Sequence, residues 1–170
     1  ARRRGLMAYL LDANVFIQAK RLHYGLDFCP AFWEWLISEN AAGRVVSLDK
    51  VSDEIEAGGD ELWDWAKARG AQFFLPPHAG LPAALAKVSA WATGQGYEQG
   101  AVNTFLQVAD YYLIGQALSK GDIVVTHEIP STSTRRIKIP DACLKLGVKF
   151  VTPFEMLRTS KARFVLPGTP

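Results

Sequence analysis

The chain has 170 residues, 49% of them hydrophobic and 21% charged, with a formal net charge of +2. That length predicts a single domain, residues 1–170, with a sizeable core. The composition excludes whole-chain disorder and a coiled coil, and the near-neutral charge leaves the question of nucleic acid to the distribution of charge.

Residues 1–6, Ala-Arg-Arg-Arg-Gly-Leu, faintly resemble a signal n-region. The apolar run from Leu6 stops at Asp12, too short for a signal core, so these residues read as an extension upstream of Met7. Tyr9-Leu10-Leu11 leads into Asp12, with Val15-Phe16-Ile17 following, and this short apolar run ending in Asp and Asn reads as a buried strand whose carboxyl end carries polar groups. Residues 30–41 carry Phe32, Trp33, Leu36 and Ile37 at helical spacing, with Gly43 as a stop. Val45-Val46-Ser47 is a second strand. Asp49–Ala57 and Glu61–Ala68 are helices closed by Gly58-Gly59 and Gly70, and Phe73-Phe74-Leu75 is a brief strand.

Pro82 opens a helix to about Ala92, proline being favoured in the first turn. Gly94-Gln95-Gly96 and Gly100 read as a loop: the spacing is not that of a dinucleotide fingerprint, and it follows a helix. Asp110–Ser119 is a helix with Leu113, Ile114, Ala117 and Leu118 on its apolar face, and Ile123–Thr126 is a strand. Pro140–Leu146, Val148–Val151 and Pro153–Arg158 read as helix, strand and helix, and the tail from Thr159 is expected to be loose. Strands alternating with helices predict an α/β fold with a mainly parallel sheet covered on both faces. The longest uncharged run, Gly70–Ala86, contains three prolines and is no membrane span. Cys29 and Cys143 lie far apart and the three histidines are scattered, which argues against a zinc site and for a reducing, cytoplasmic setting.

In a parallel sheet ligands bind beyond the carboxyl ends of the strands. Four acids are placed to reach that edge: Asp12 after the first strand, Glu54 in the helix after the second, Asp110 at a helix start, and Glu128 after the Ile123 strand. Any one of them alone reads as a cap or a solvated charge, but Asp12 interrupts an apolar run where burial is expected. Gathered in one cleft they repel, each pair at about 4 Å by roughly 4 kcal/mol at an effective dielectric of 20. Such a set suits a hard cation, Mg2+ or Mn2+, which wants oxygen ligands and activates water toward a phosphodiester.

Four segments carry a family resemblance. LLDANVFI (10–17) resembles the opening motif of PIN-domain nucleases. VSDEI, ADYYLIGQAL and DIVVTHE resemble the second, third and fourth motifs, in family order. RRIKIPDAC and VTPFEMLR further resemble a PIN-like branch of toxins related to the VapC-type ribonucleases. The resemblance implies a PIN-like three-layer α/β/α sandwich and a metal-dependent endoribonuclease acting on single-stranded RNA, the toxin of a type II toxin–antitoxin system. It makes Asp12, Glu54, Asp110 and Glu128 the catalytic, metal-binding acids, with Asn14 and Thr126 supporting them by hydrogen bonds. It also implies an antitoxin that plugs the acidic site, and a homodimer. The chain departs from the pattern at Glu128, where the family usually has Asp with another acid shortly after. Asp141 is the candidate for that further acid, and it reads equally as a partner of its helix dipole.

The charge distribution fits nucleic acid. Arg135 to Arg163 holds eight Lys/Arg and two acids, whereas residues 49–64 hold seven acids and one Lys. Arg135, Arg136 and Lys138 follow Glu128 closely and are candidates for phosphate contacts, carried on a Ser131–Thr134 loop expected to be flexible. His127 reads as a solvent-facing bystander. Trp33/Trp35 and Trp63/Trp65 are i,i+2 pairs, so one of each pair is expected to be exposed. The rival readings are a non-catalytic PIN-like nucleic-acid-binding module, a haloacid-dehalogenase-like phosphatase, which wants Asp where Asn14 stands, and a structure-specific DNA nuclease, which wants more acids.

Overall fold

β1 (Tyr9–Leu11) is the central strand of the computed structural model, which describes residues 7–168. The expected extension, residues 1–6, lies outside the described residues. α1 (Ala13–Gln18) and a π-helical turn (Ala19–His23) follow β1 directly, then α2 (Pro30–Ala41), β2 (Val45–Leu48), α3 (Asp49–Gly58) and α4 (Glu61–Arg69). A 3-10 turn (Gly70–Gln72) leads to β3 (Phe74–Leu75), and α5 (Leu81–Thr93), α6 (Gln99–Phe105) and α7 (Ala109–Lys120) lead to β4 (Ile123–Val125). α8 (Ile139–Leu146), β5 (Phe150–Val151) and α9 (Pro153–Thr159) complete the series.

The five strands form one sheet in the order β3-β2-β1-β4-β5, every pair parallel. Helices cover both faces, giving the three-layer α/β/α sandwich. The inner strands are short and apolar because neither face meets water: Leu10, Leu11, Val45, Val124 and Val125 are all fully buried. From β1 the chain steps outward to β2 and β3, then returns to lay β4 on the other side of β1. The carboxyl ends of β1 and β4 therefore flank the switch point, where an open parallel sheet forms its crevice.

Two bonds extend the ordering past the strands. The Asp12 N–H donates to the Val125 carbonyl at 3.0 Å. The buried Ser47 hydroxyl donates to the Leu11 carbonyl at 2.6 Å. Both fix the exit of β1.

The strand from Tyr9 ends at Leu11, just before Asp12 as expected, and Val15-Phe16-Ile17 belongs to α1. Three features differ from the sequence reading. Gly100, in the stretch read as a loop, lies within a helix over residues 99–105, with Ala101, Val102 and Phe105 buried. Trp33 is buried, and Trp35, Trp63 and Trp65 are partly buried against the core, so neither pair leaves an exposed member. After Thr159 the chain is held by Phe164, whose ring packs 5.7 Å from Tyr24 and 6.1 Å from Phe32.

Phe16 anchors α1 beneath the crevice. It is fully buried, with ring centroids 5.9 Å from Trp65, 6.0 Å from Phe73 and 5.7 Å from Phe74. Phe16→Ala should cost about 3–5 kcal/mol, because that aromatic cluster cannot collapse onto the void. Urea unfolding should show the loss as a lower midpoint at an unchanged m-value.

Candidate functional site

All four acids meet at one cleft of about 480 Å³, lined by Asp12, Asn14, Glu54, Asp110, Glu128, Arg135 and Arg136 among others. Each arrives from a different element. Asp12 is the residue between β1 and α1, and Glu54 reaches across from α3. Asp110 lies in the first turn of α7, and Glu128 follows β4.

Asp12 is only 4% exposed. The Thr126 hydroxyl donates to its Oδ2 at 2.9 Å. Thr126 Oγ1 in turn accepts from Asn14 Nδ2 at 3.2 Å and from the Glu128 N–H at 3.1 Å. Asn14 Oδ1 accepts the His127 N–H at 3.1 Å. The two expected supporting residues thus stitch the ends of β1 and β4 together and hold the buried carboxylate in place.

Glu54 and Asp110 share the N-terminus of α7. Val108 offers no side-chain cap there, and Glu54 Oε1 accepts the Ala109 N–H at 3.3 Å in its place. The positive end of the helix favours both acids. Among the described residues none donates a hydrogen bond to the Asp110 carboxylate.

Crowding shows in the protonation equilibria. Burial, and then the nearby Glu128 and Glu54, push Asp12 up to about 7 against the opposing Thr126 bond. Burial, then Asp12, Glu128 and Glu54, push Asp110 up to about 8, with Arg136 pulling the other way. Glu54 is raised by partial burial of its carboxylate, although much of the residue faces solvent. Asp12 and Asp110 therefore both resist ionisation, because burial strips them of water and the neighbouring acids add to the cost of a further negative charge.

Glu128 is placed differently from the other three. Its Oε1 pairs with Arg136 Nη2 at 2.9 Å and its Oε2 accepts the Ile139 N–H at 2.8 Å. Both oxygens are engaged within the protein, so Glu128 braces Arg136 and the start of α8. Among the described residues no three His, Cys, Asp or Glu side chains are already arranged to hold a metal ion. The donor chemistry nevertheless fits Mg2+ or Mn2+: the acids are hard oxygen donors in one cleft, with Asp12 buried, Asp110 half-buried, and Arg136 offsetting them only in part. Holding an ion there requires the carboxylates to draw closer than they stand.

Asp141 is not brought to this cleft. Its two oxygens accept the Ser131 N–H at 3.1 and 3.2 Å. Lys138 precedes α8 and does not line the cleft, whereas Arg135 and Arg136 do. The Ser131–Thr134 loop, expected to be flexible, is braced. Asp141 holds one end, and the Glu98 N–H donates to the Thr134 carbonyl at 3.0 Å at the other. Between them Ser131 and Ser133 accept the N–H groups of Ser133 and Arg135. His127 is half-buried rather than solvent-facing. Its ring stacks on His23 at 5.6 Å and meets the Phe154 ring at 5.7 Å, and burial followed by His23 lowers its pKa.

One wall of the cleft escaped the sequence reading. Ala101, Thr104 and Phe105 of α6 line it, together with Ile17 of α1. The signal for α6 was the apolar set Ala101, Val102 and Phe105, obscured by Gly96 and Gly100.

In comparison with known proteins, the family described as "Domain of unknown function (DUF4411)" matches residues 9–164. No curated protein matches the chain, and no solved structure does.

The raised acids set the sign of a pH effect. A carboxyl whose folded pKa lies above its unfolded value of 3.8 makes the native state hold more protons than the unfolded state. Stability should therefore fall as pH rises from about 4 to about 8, by up to about 1.4 kcal/mol per pH unit for each such group. Asp12→Asn keeps the Thr126 bond and removes the charge. Chemical denaturation across this range should show a shallower slope for Asp12→Asn and greater stability near neutral pH.

Proposed function

We propose a function for this chain, which belongs to the DUF4411 family, from the chemistry of its cleft: metal-dependent endoribonuclease, hydrolysing phosphodiester bonds in single-stranded RNA. The observation that carries it is the meeting of Asp12, Glu54, Asp110 and Glu128 with Arg135 and Arg136 at the sheet's switch point. The segments resembling PIN-domain nucleases are the ones that supply these acids, and a VapC-like toxin held in check by an antitoxin is the cellular role consistent with that resemblance. The antitoxin would neutralise the acids with Arg or Lys, as Arg136 partly does within the chain. Homodimerisation is proposed on the resemblance alone.

The residues divide the work. Asp12, Asp110 and Glu54 are the open acids that would hold Mg2+ or Mn2+. When bound, the cation supplies charge that lets the acids ionise, activates water for attack, and stabilises charge on the displaced oxygen. Thr126 and Asn14 keep Asp12 from turning out of the cleft. The α7 N-terminus orients Asp110 and Glu54 from behind. Arg135 and Arg136 hold the phosphates on either side of the cut without choosing bases. Arg136 leaves Glu128 as substrate phosphate takes its guanidinium, freeing that carboxylate to turn inward.

A panel of single-stranded RNA, single-stranded DNA and a phosphomonoester, each with and without Mn2+, tests this reading. RNA should be cut with Mn2+ and the phosphomonoester left intact. Asp110→Asn should lower the rate about a hundredfold or more. Mn2+ at a hundred times its Kd should stabilise the chain by about 2.7 kcal/mol, and Asp12→Asn should remove most of that gain. Hydrolysis of the phosphomonoester alone would favour a phosphatase, and binding of RNA without cutting would favour a binding module.

Arg135→Ala with Arg136→Ala should weaken RNA binding across sequences and flatten log K against log salt by about one unit for each arginine–phosphate pair removed. Because Arg136 also relieves Asp110, the double variant should in addition hold Asp110 protonated to higher pH. Unchanged affinity and salt slope would place the phosphate track elsewhere.

A further inference from the structure

The 131–136 segment has a second hollow on its other flank. The cleft is lined by Arg135 and Arg136, while a separate cavity of about 270 Å³ is lined by Ser131–Thr134 of the same segment. Thr134 and Arg135 are neighbours in the chain, their Cα atoms about 3.8 Å apart, so one segment lines both hollows. Across this second cavity stand Trp91 near the end of α5 and Tyr97 of the α5–α6 connection. Their rings meet edge to face, with centroids 5.9 Å apart and an interplanar angle of 68°. Both rings are partly buried against the core and line the cavity with the rest of their surface. Lys145 of α8 supplies a cation at the rim, and the hydroxyls of the Ser/Thr run supply hydrogen-bond donors and acceptors. The wall is fixed by the bonds from Asp141 and Glu98, so the cavity is a standing feature of the fold.

We infer that this cavity is a nucleobase subsite, taking one unstacked base of a single strand whose neighbouring phosphate lies on Arg135 and Arg136. The inference rests on the single-strand nuclease reading and deepens it. The volume lies just under the roughly 300 Å³ at which pockets begin to take drug-sized ligands, so it admits a single base and not a base pair. Single-stranded nucleic acid is held where a basic track runs beside aromatic rings, the track binding phosphate and the rings stacking on bases. Arg135 and Arg136 provide the track, Trp91 and Tyr97 provide the rings, and the braced loop sets the distance between them. A duplex cannot use this site, because its bases remain paired. The subsite therefore selects unpaired RNA over helical RNA, and the base that stacks best over the others.

An abasic scan tests it on the full chain. A short single-stranded RNA is held uncut in the Asp110→Asn background, and one base at a time is removed along it. Affinity should drop at one position, roughly five- to a hundredfold, and change little elsewhere. Thr132→Phe, on the exposed loop wall, should fill the cavity without disturbing the fold. It should weaken the intact RNA by a similar factor and abolish the penalty of the abasic position. Trp91→Leu should do the same, and Trp91→Phe should restore most of the affinity. If Trp91→Leu does not fold, the abasic scan with Thr132→Phe decides alone. A flat scan, or a penalty that survives Thr132→Phe, overturns the subsite. Should unaltered chain with Mn2+ still cut RNA in that case, the nuclease reading stands without it. A chain that neither binds nor cuts single-stranded RNA overturns both.

Discussion

Asp12 is a carboxylate placed at the exit of the innermost strand, where almost no water reaches it. Everything around it answers to that placement. β1 and β4 must be level so that Thr126 can meet Asp12, and their register supplies this by pairing Leu11 with Val125. Ser47 must cap the Leu11 carbonyl so that β1 can end and α1 begin within one residue. The α7 N-terminus must face the same point, because its partial positive charge helps offset acids the core would otherwise expel. Burial first, and then the other acids of the crevice, push the carboxyls of Asp12 and Asp110 well above the usual carboxylate range.

The parallel α/β sheet and most of its helices were legible in the sequence, since strands buried on both faces appear as unbroken apolar runs and helices carry their own stops. The four acids were legible for a related reason: Asp12 and Glu128 follow strands, Asp110 opens a helix, and Glu54 lies in the helix after β2. What escaped was set by tertiary contacts. Val15-Phe16-Ile17 carries no helical pattern of its own, two of its residues being β-branched, yet the chain turns helical there and Phe16 reaches Trp65, Phe73 and Phe74. The Ser131–Thr134 run looks loose by composition, but its partners Glu98 and Asp141 come from other parts of the chain. The same bond explains why Asp141 fails to join the acids: it is already in use. The i,i+2 spacing of the tryptophans does not translate into exposure, because helices here pack on more than one side and both residues of each pair find neighbours.

Glu128 and Arg136 show how an acidic cleft can persist without collapsing. The arginine neutralises the one acid that the start of α8 also grips, and it lowers the protonation tendency of Asp110 from a distance. The exposed Arg135–Glu98 pair at 3.7 Å adds little energy, but it links an arginine that lines the cleft to the residue that precedes α6. The basic segment is thus tied to the acids by its own charges, while its backbone is tied to α6 and α8.

The crevice is assembled from segments that are remote along the chain. Asp12 and the Thr126 hydroxyl that seats it are 114 residues apart, and Glu54 caps a helix that starts 55 residues later. Chains emerge from the ribosome in order, at roughly 5–20 residues per second. For the several seconds between the appearance of Asp12 and that of Thr126, the nascent polypeptide has its first acid but no β4 to register it against. A product terminated anywhere in that interval lacks the strand that closes the switch point. The cleft is completed late in synthesis, by the arrival of β4 and Glu128, and a chain ended before them cannot bring the four acids together.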